Sequence, residues 1–321
     1  MNLIITGANK NHFGFLELFV RSLRERGKYE DKIVVCDNVI GGDRWDEPGK
    51  YAETISFSDQ HMAFLKEHNV EVIPYHQLIK DNEISREQID QIPSYTQRYP
   101  HKYVYTTLIS KRYKQQVKNI CFFDADIYFQ KPVAPIFDAF QESSIYMVKE
   151  YQKIGKSPFL RKWIAHSDFS QLSDQAAFEE TMFGSDDYCT GFFGGPAEVF
   201  HQLTLLALLL SSNRLVEFYS DQPLMNILKS FFRYPIQELP DDYVKHLGEL
   251  PKEDLTVKNG QVLHRNKASI AVHFNGGTKD LFEKVSTDEP VDYGHSTNSR
   301  MYIKSKKKIR QLYHSARKLY S

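Results

Sequence analysis

Along the chain, short apolar runs alternate with segments of helical period. "NLIIT" (2–6) is a buried-type strand that feeds the loop "GANKN". Residues 12–27 then place Phe15, Leu16, Phe19, Val20 and Leu23 at helical spacing, with Gly27 as the stop. "KIVVCD" (32–37) reads as a second strand, 61–69 as a helix and "VEVIPY" (70–75) as a third strand. Residues 101–117 read as helix, "NICFFDADIYF" (119–129) as strand and "SSIYMVKE" (143–150) as strand. Strands alternating with helices predict an α/β chain: a largely parallel sheet with helices on both faces.

Beyond residue 150 the pattern loosens. Residues 151–187 lose periodicity and gain Ser, Asp, Lys and aromatics, which predicts a long, partly helical excursion. "YCTGFFGGP" (188–196) returns to strand and turn, where Gly194 and Gly195 permit positive φ or a close approach. Residues 197–212 form the most apolar helix. Residues 220–232 start another, with Ser220 or Asp221 as cap and Pro223 in its first turn. "ASIAVHFNGG" (268–277) is the last clear strand. The expected division is one domain over 1–285 and a C-terminal extension over 286–321.

The chain has 321 residues, 41% of them hydrophobic, enough for a sizeable core. Basic and acidic residues balance at 41 each, so nothing global points to a nucleic-acid partner. The balance hides an uneven distribution. Residues 301–321 carry seven Lys or Arg and no acid, leaving a body of net charge −7. In that tail Ile309, Leu312, Tyr313, Ala316 and Tyr320 share one helical face. A basic amphipathic helix over 302–320 suits an anionic membrane surface; a solvated or disordered tail fits equally. Three widely spaced cysteines, no CxxC, no secretory leader and no long apolar span predict a reduced cytoplasmic protein, peripheral to the inner face of a membrane if attached at all.

Asp124 and Asp126 end an apolar run. Ligands of open α/β sheets bind beyond the carboxyl ends of the strands. Two residues apart on an extended backbone point to one side, and such a carboxylate pair suits Mg²⁺ or Mn²⁺ with bound phosphate. The bland alternative is a strand-end turn with two solvated acids. Three further islands follow in order: "CTGFFGGP", "SDQPLMN" and "VHFNGGTK".

Together with "FFDADIYF" these islands resemble the GT-A glycosyltransferases. The likeness is to two retaining families that use nucleotide-sugar donors: the glycogenin and lipooligosaccharide galactosyltransferase family, and the blood-group A/B transferase family. The resemblance spans roughly residues 1–280 in motif order. It implies a GT-A fold with a mixed, mostly parallel sheet flanked by helices, and a DxD metal site formed by Asp124 and Asp126. His273 of "HFNGGTK" becomes the third ligand on Mn²⁺ or Mg²⁺. Lys279 holds the diphosphate, with Gly276 and Asp124 at the same site. The family's Pro-Trp after that lysine is Asp280-Leu281 here. Its usual Asn before the first glycine of "CTGFFGGP" is Cys189. The arginine it carries ahead of the DxD falls, by spacing, at Thr107, with Lys102 nearby.

In "SDQPLMN" the resemblance puts Gln222 beside the reacting sugar carbon and Asp221 on sugar hydroxyls. It seats base and ribose at Thr6, Ala8 and Asn9, with His12 or Phe13 stacking. Trp163, Asp186, Asp187 and Tyr188 suit a glycan or glycolipid acceptor. The implied reaction is retaining transfer from a nucleoside diphosphate sugar, by family likeness a UDP-sugar, in cell-surface polysaccharide or lipopolysaccharide synthesis. Three other readings exist. A dehydrogenase fingerprint fails, because its later glycines fall at Asn11 and Phe13. A sugar-nucleotide pyrophosphorylase lacks its Gly-rich, Arg-containing loop. A non-catalytic nucleotide- or carbohydrate-binding module remains.

Overall fold

The computed structural model describes residues 1–37, 56–84, 100–165, 169–170, 173–212, 221–286 and 291–292. The basic segment 302–320 lies outside the described residues, as does Ser220. The chain divides into two compact units, Met1–Glu249 with Ser269–Lys279, and Leu250–Ala268 with Asp280–Ser321.

The first unit begins with β1 (Asn2–Ala8), α1 (Phe13–Glu25), β2 (Lys32–Asp37), α2 (Asp59–Glu67), β3 (Val70–Pro74) and α3 (Tyr75–Asp81). It continues through α4 (Pro100–Tyr113), β4 (Asn119–Phe123), β5 (Ile127–Phe129), α5 (Ala134–Asp138) and β6 (Ile145–Lys153). Two helices, α6 (Pro158–Ala165) and α7 (Gln175–Gly184), fill the aperiodic region before β7 (Asp186–Pro196). Then come α8 (Ala197–Ser212), α9 (Gln222–Ser230), β8 (Ile236–Glu238) and β9 (Val244–His246). The second unit contributes the hairpin β10 (Leu255–Lys258) and β11 (Gln261–His264), whose Asn259–Gly260 turn has positive φ at both residues, as a tight hairpin turn requires. The chain returns to the first unit as β12 (Ala271–His273), and after α10 (Lys279–Ser286) β13 (Val291–Asp292) pairs with β10.

The central sheet runs β3-β2-β1-β4-β7-β6-β8. β3, β2, β1 and β4 are parallel, and β6 is parallel to β8. β7 is antiparallel to both its neighbours, which makes the sheet mixed and mostly parallel. Strand alternation divides the core between the two faces. Leu3, Ile5, Val34, Ile120 and Phe122 pack on one side with α4, α8 and α9. Ile4, Ile33, Val35, Cys121 and Phe123 pack on the other with α1. Both faces are covered, which is why these strands read as continuous apolar runs. Stacked Phe122, Phe193 and Phe200, with ring centroids 5.0 and 5.3 Å apart, tie β4 to β7 and α8. The three cysteines are buried and free. Among the described residues no helix is long and apolar enough to cross a membrane.

Two expectations change. "NICFFDADIYF" is not one strand: β4 and β5 are separated by a turn at 124–126, closed by Ile127 N donating to Asp124 O at 3.1 Å. β5 then leaves the main sheet for a small one of order β5-β12-β9. Gly194 and Gly195 do not form a turn with positive φ; they lie inside β7. A Cβ there would stand 2.6 Å from Cys121 Sγ or from Ser144 O, so close strand packing demands the glycines.

Candidate active site

The turn after β4 gathers Asp124 and Asp126, rather than the strand alternation expected from the sequence. Asp124 N donates to Gly191 O of β7 at 2.8 Å, and Phe274 N donates to Asp126 O at 3.1 Å. The second bond fixes the turn to the end of β12. There His273 pairs in register with Ile127 on one side and His246 on the other. The His273 Nε2 atom lies 3.0 Å from Asp126 Oδ1 and 3.8 Å from Asp124 Oδ2. All three side chains offer ligand atoms within 4.8 Å of one another. Bonds of about 2.1 Å to an octahedral Mg²⁺ place ligand atoms about 3 to 4.2 Å apart, so the set fits a hard divalent cation.

Electrostatics favour a cation there. Burial raises the Asp124 pKa and the Asp126 charge adds to this, while Lys102 opposes both. Burial lowers the His273 pKa, but Asp126 and Asp124 outweigh it and the net shift is upward. The other face of the imidazole is also engaged. Its Nδ1 is 3.0 Å from His246 Nδ1 and 3.8 Å from Cys189 Sγ. Cys189, His246 and His273 form a second cluster with metal-ligand spacing. It shares the His273 ring, so in the Asp-paired arrangement it serves to hold the ring and fix its tautomer. His246 Nε2 is buried without a hydrogen-bond partner among the described residues. Gly191 supplies the room: a Cβ there would stand 2.6 Å from His273 Nδ1 and closer still to Cε1.

Lys102 joins the carboxylates of two segments. Its Nζ lies 3.0 Å from Asp124 Oδ1 and 2.6 Å from Asp221 Oδ2, above the Phe122 ring at 4.6 Å, and donates to Thr190 O. Burial lowers its pKa, yet Asp124 and Asp221 raise it well past the ordinary lysine value. Sequence spacing pointed to Thr107 for the expected arginine; Thr107 is buried on the same helix, and it is Lys102 that reaches the carboxylates. Asp221 occupies the N-cap position of α9 but makes no side-chain capping bond. Its carboxylate also accepts from Thr190 Oγ1 at 2.6 Å, so it ties strand, helix and lysine together.

Gln222 and Asn226 are one turn apart on α9 and face β7. Both donate to Asp187 Oδ1 at 2.9 Å. Asp187 is fully buried, so it is not an open hydrogen-bonding group for an acceptor. Asp186 is likewise engaged, in ion pairs with Lys149 and Lys153. Tyr188 is buried with Lys229 over its ring, and Trp163 is half-buried against the core.

At the end of β1, Thr6 is buried with no partner for its Oγ1 among the described residues, and Ala8 is buried. Asn9 Oδ1 accepts from Asn11 N and pairs with His12 Nδ1 at 2.9 Å. Phe13 is not open to a base: it is buried, stacked on His61 at 3.8 Å. Gly276 has φ +60° in the short turn before Lys279, which opens α10; the lysine side chain lies outside the described residues. Sequence reasoning missed Asp187 as a core group, Glu150, His246, Gly191 and the ion-pairing role of Lys102. Only "CTG" and the buried-lysine context of α4 held any trace of them.

No protein-family model matches the chain, and no curated protein is similar to it in sequence. Solved structures are similar in shape. A galactosyltransferase, LgtC, in complex with donor and acceptor sugar analogs, aligns over 91% of this chain and 98% of its own, at 12% identity and TM-score 0.51. Mouse xyloside xylosyltransferase 1 aligns over 87% of this chain and 99% of its own, at 14% identity and TM-score 0.53. The chain therefore has the GT-A fold of these glycosyltransferases.

Proposed function

We propose that the chain is a metal-dependent, retaining glycosyltransferase. It moves a sugar from a nucleoside diphosphate donor, a UDP-sugar, to a glycan or glycolipid acceptor of cell-surface polysaccharide or lipopolysaccharide. The observation that carries this reading is the meeting of Asp124, Asp126 and His273 beside the Lys102–Asp221 ion pair and Gln222, in a GT-A fold. The reading places the protein in the cytoplasm, with the basic tail as a membrane contact.

Asp124, Asp126 and His273 would hold Mn²⁺ or Mg²⁺, which when bound stabilises negative charge on the departing diphosphate. Imidazole in the set favours Mn²⁺. Lys102 keeps Asp221 ionised and fixed, so that Asp221 can orient the donor sugar through its hydroxyls. Lys279 and the Gly276 turn receive the diphosphate, and Thr6, Ala8 and Asn9 seat base and ribose. Gln222 is a poor nucleophile. Its amide oxygen instead stabilises positive charge developing at the reacting carbon while the acceptor enters on the face the diphosphate leaves, which retains configuration.

The test is UDP release from a panel of UDP-sugars with Mn²⁺, with Mg²⁺ and with chelator, followed by proton NMR of the product's anomeric centre. Metal-dependent release and a retained anomer support the reading. Release of inorganic pyrophosphate from a sugar phosphate and UTP would identify a pyrophosphorylase. UDP binding that chelator leaves unchanged, with no turnover, would identify a binding module. Either outcome overturns the proposal.

A further inference from the structure

We propose that Asp187 and Glu150 form a carboxylate–carboxyl pair that holds the Gln222 amide in one orientation, nitrogen inward and carbonyl oxygen outward toward the donor sugar. The inference rests on the transferase reading. A glutamine amide has two ends of nearly equal shape and opposite polarity. An oxygen facing the reacting carbon stabilises positive charge; an NH₂ group in the same place opposes it.

The structure builds this choice in three steps. Tyr188 N donates to Asn226 Oδ1 at 2.9 Å, and Asn226 Nδ2 donates to Tyr188 O and to Gln222 O, both at 3.1 Å. The backbone of β7 therefore sets the polarity of Asn226. Asn226 Nδ2 and Gln222 Nε2 then converge on one oxygen, Asp187 Oδ1, each at 2.9 Å. An acceptor at that point admits only the nitrogen end of Gln222. Gln222 itself is half-buried, so its remaining end reaches accessible space.

The third step is the other oxygen of Asp187. Its Oδ2 is buried and receives no N–H or hydroxyl donor among the described residues. The Asp187 carboxyl group is also hydrogen-bonded to the side chain of Glu150, 7% exposed, which follows directly on the Lys149–Tyr188 pair of β6 and β7. Two buried carboxylates in contact cannot both be ionised at neutral pH. Burial, and then the charges of Asp187 and Glu249, push the Glu150 pKa far above the carboxylate range, while Cys189 pulls the other way. Burial raises Asp187 less, because Gln222, Glu150 and Asn226 all hydrogen-bond to it. Glu150 thus keeps the proton and donates it to Asp187. Among the neighbouring charges, Asp186 is matched by Lys149 and Lys153, and Glu249 accepts from Tyr151 N and Gln152. Loss of the Glu150 proton would put two charges side by side and release Gln222.

NMR and kinetics on the full chain test this together. With carboxyl-labelled Glu, the resonance lost in Glu150→Gln is expected to titrate above neutral pH. The side-chain amide signals lost in Gln222→Glu and Asn226→Asp should shift with it, and should stop shifting in Glu150→Gln. Kinetically, Asp187→Ala should lower kcat roughly ten- to a hundredfold with donor KM little changed, as expected for a misplaced group. Wild-type kcat should fall on the alkaline side. Glu150→Gln, whose amide still donates to Asp187, should remove that limb, whereas Glu150→Ala should lower kcat at every pH. A Glu150 resonance that titrates in the ordinary carboxylate range, or an alkaline limb that survives in Glu150→Gln, overturns the pair. A wild-type chain that releases no UDP overturns the transferase reading and the catalytic role with it, while the NMR arm still decides whether the pair exists.

Discussion

Lys102 and Asp221 form an enclosed ion pair, 2.6 Å between Nζ and Oδ2, with both residues at most 7% exposed. Removing one partner of such a pair strands the other. Lys102→Met is expected to cost about 3–5 kcal/mol of stability at neutral pH, measured by denaturant unfolding. Burial raises the Asp221 pKa but Lys102 outweighs it, leaving the value depressed. The pair's contribution is therefore present above the ordinary Asp pKa and lost as pH falls through the depressed one. On the basic side the raised Lys102 value preserves it until far into alkali. The wild-type advantage should thus shrink in acid. A difference below about 1 kcal/mol at neutral pH, the range of an exposed pair, contradicts the assignment.

Metal should stabilise the folded chain. A cation bound only by the native state adds about 2.7 kcal/mol at a concentration 100 times its Kd. Thermal scans with Mn²⁺ are expected to show a Tm rise that chelator reverses and that Asp126→Ala and His273→Ala abolish. An equal rise in those variants would place the ion elsewhere.

Gly191→Ala probes the space under the imidazole. The added methyl would overlap the His273 ring, which must move or push the strand. Overpacking of this kind costs about 1–3 kcal/mol. The diagnostic result is a weakened Mn²⁺ response in calorimetric titration, beyond what the stability loss of a control variant such as Gly194→Ala produces.

Gln222→Ala separates binding from chemistry. A group that acts on developing charge should lower kcat about a hundredfold, the scale of one preorganised electrostatic contact, with little change in donor KM. A large rise in KM at constant kcat would make Gln222 a binding residue instead.

Part of this was legible in the sequence because it is local. The runs at β1, β2, β3 and β4 announce buried strands, and Asp124, Asp126 and His273 sit in recognisable islands. What stayed hidden is made by long-range pairing. Lys102 meets Asp221 far along the chain, and Tyr103 Oη meets the Asp221 carbonyl across 118 residues. Glu150 meets Asp187 through the β6–β7 pairing, past a register shift that no local pattern encodes. The Asp221 side chain was read as a cap because helix-start statistics are local, whereas a buried lysine competes for the same carboxylate more strongly. The turn at 124–126 stood only as the alternative to a continuous strand because apolar residues continue on both sides of it, and Phe123 and Phe129 pack together at 5.2 Å.

The narrow sheet of β5, β12 and β9 has a bearing on biosynthesis. It joins residues flanking the two acids to the imidazole through the pairing of Ile127 with His273. A nascent chain halted between β8 and β12 already contains every strand of the central sheet, yet it lacks this imidazole. On the proposed reading, a site for the ion would therefore be completed only late in synthesis, once β12 has been made.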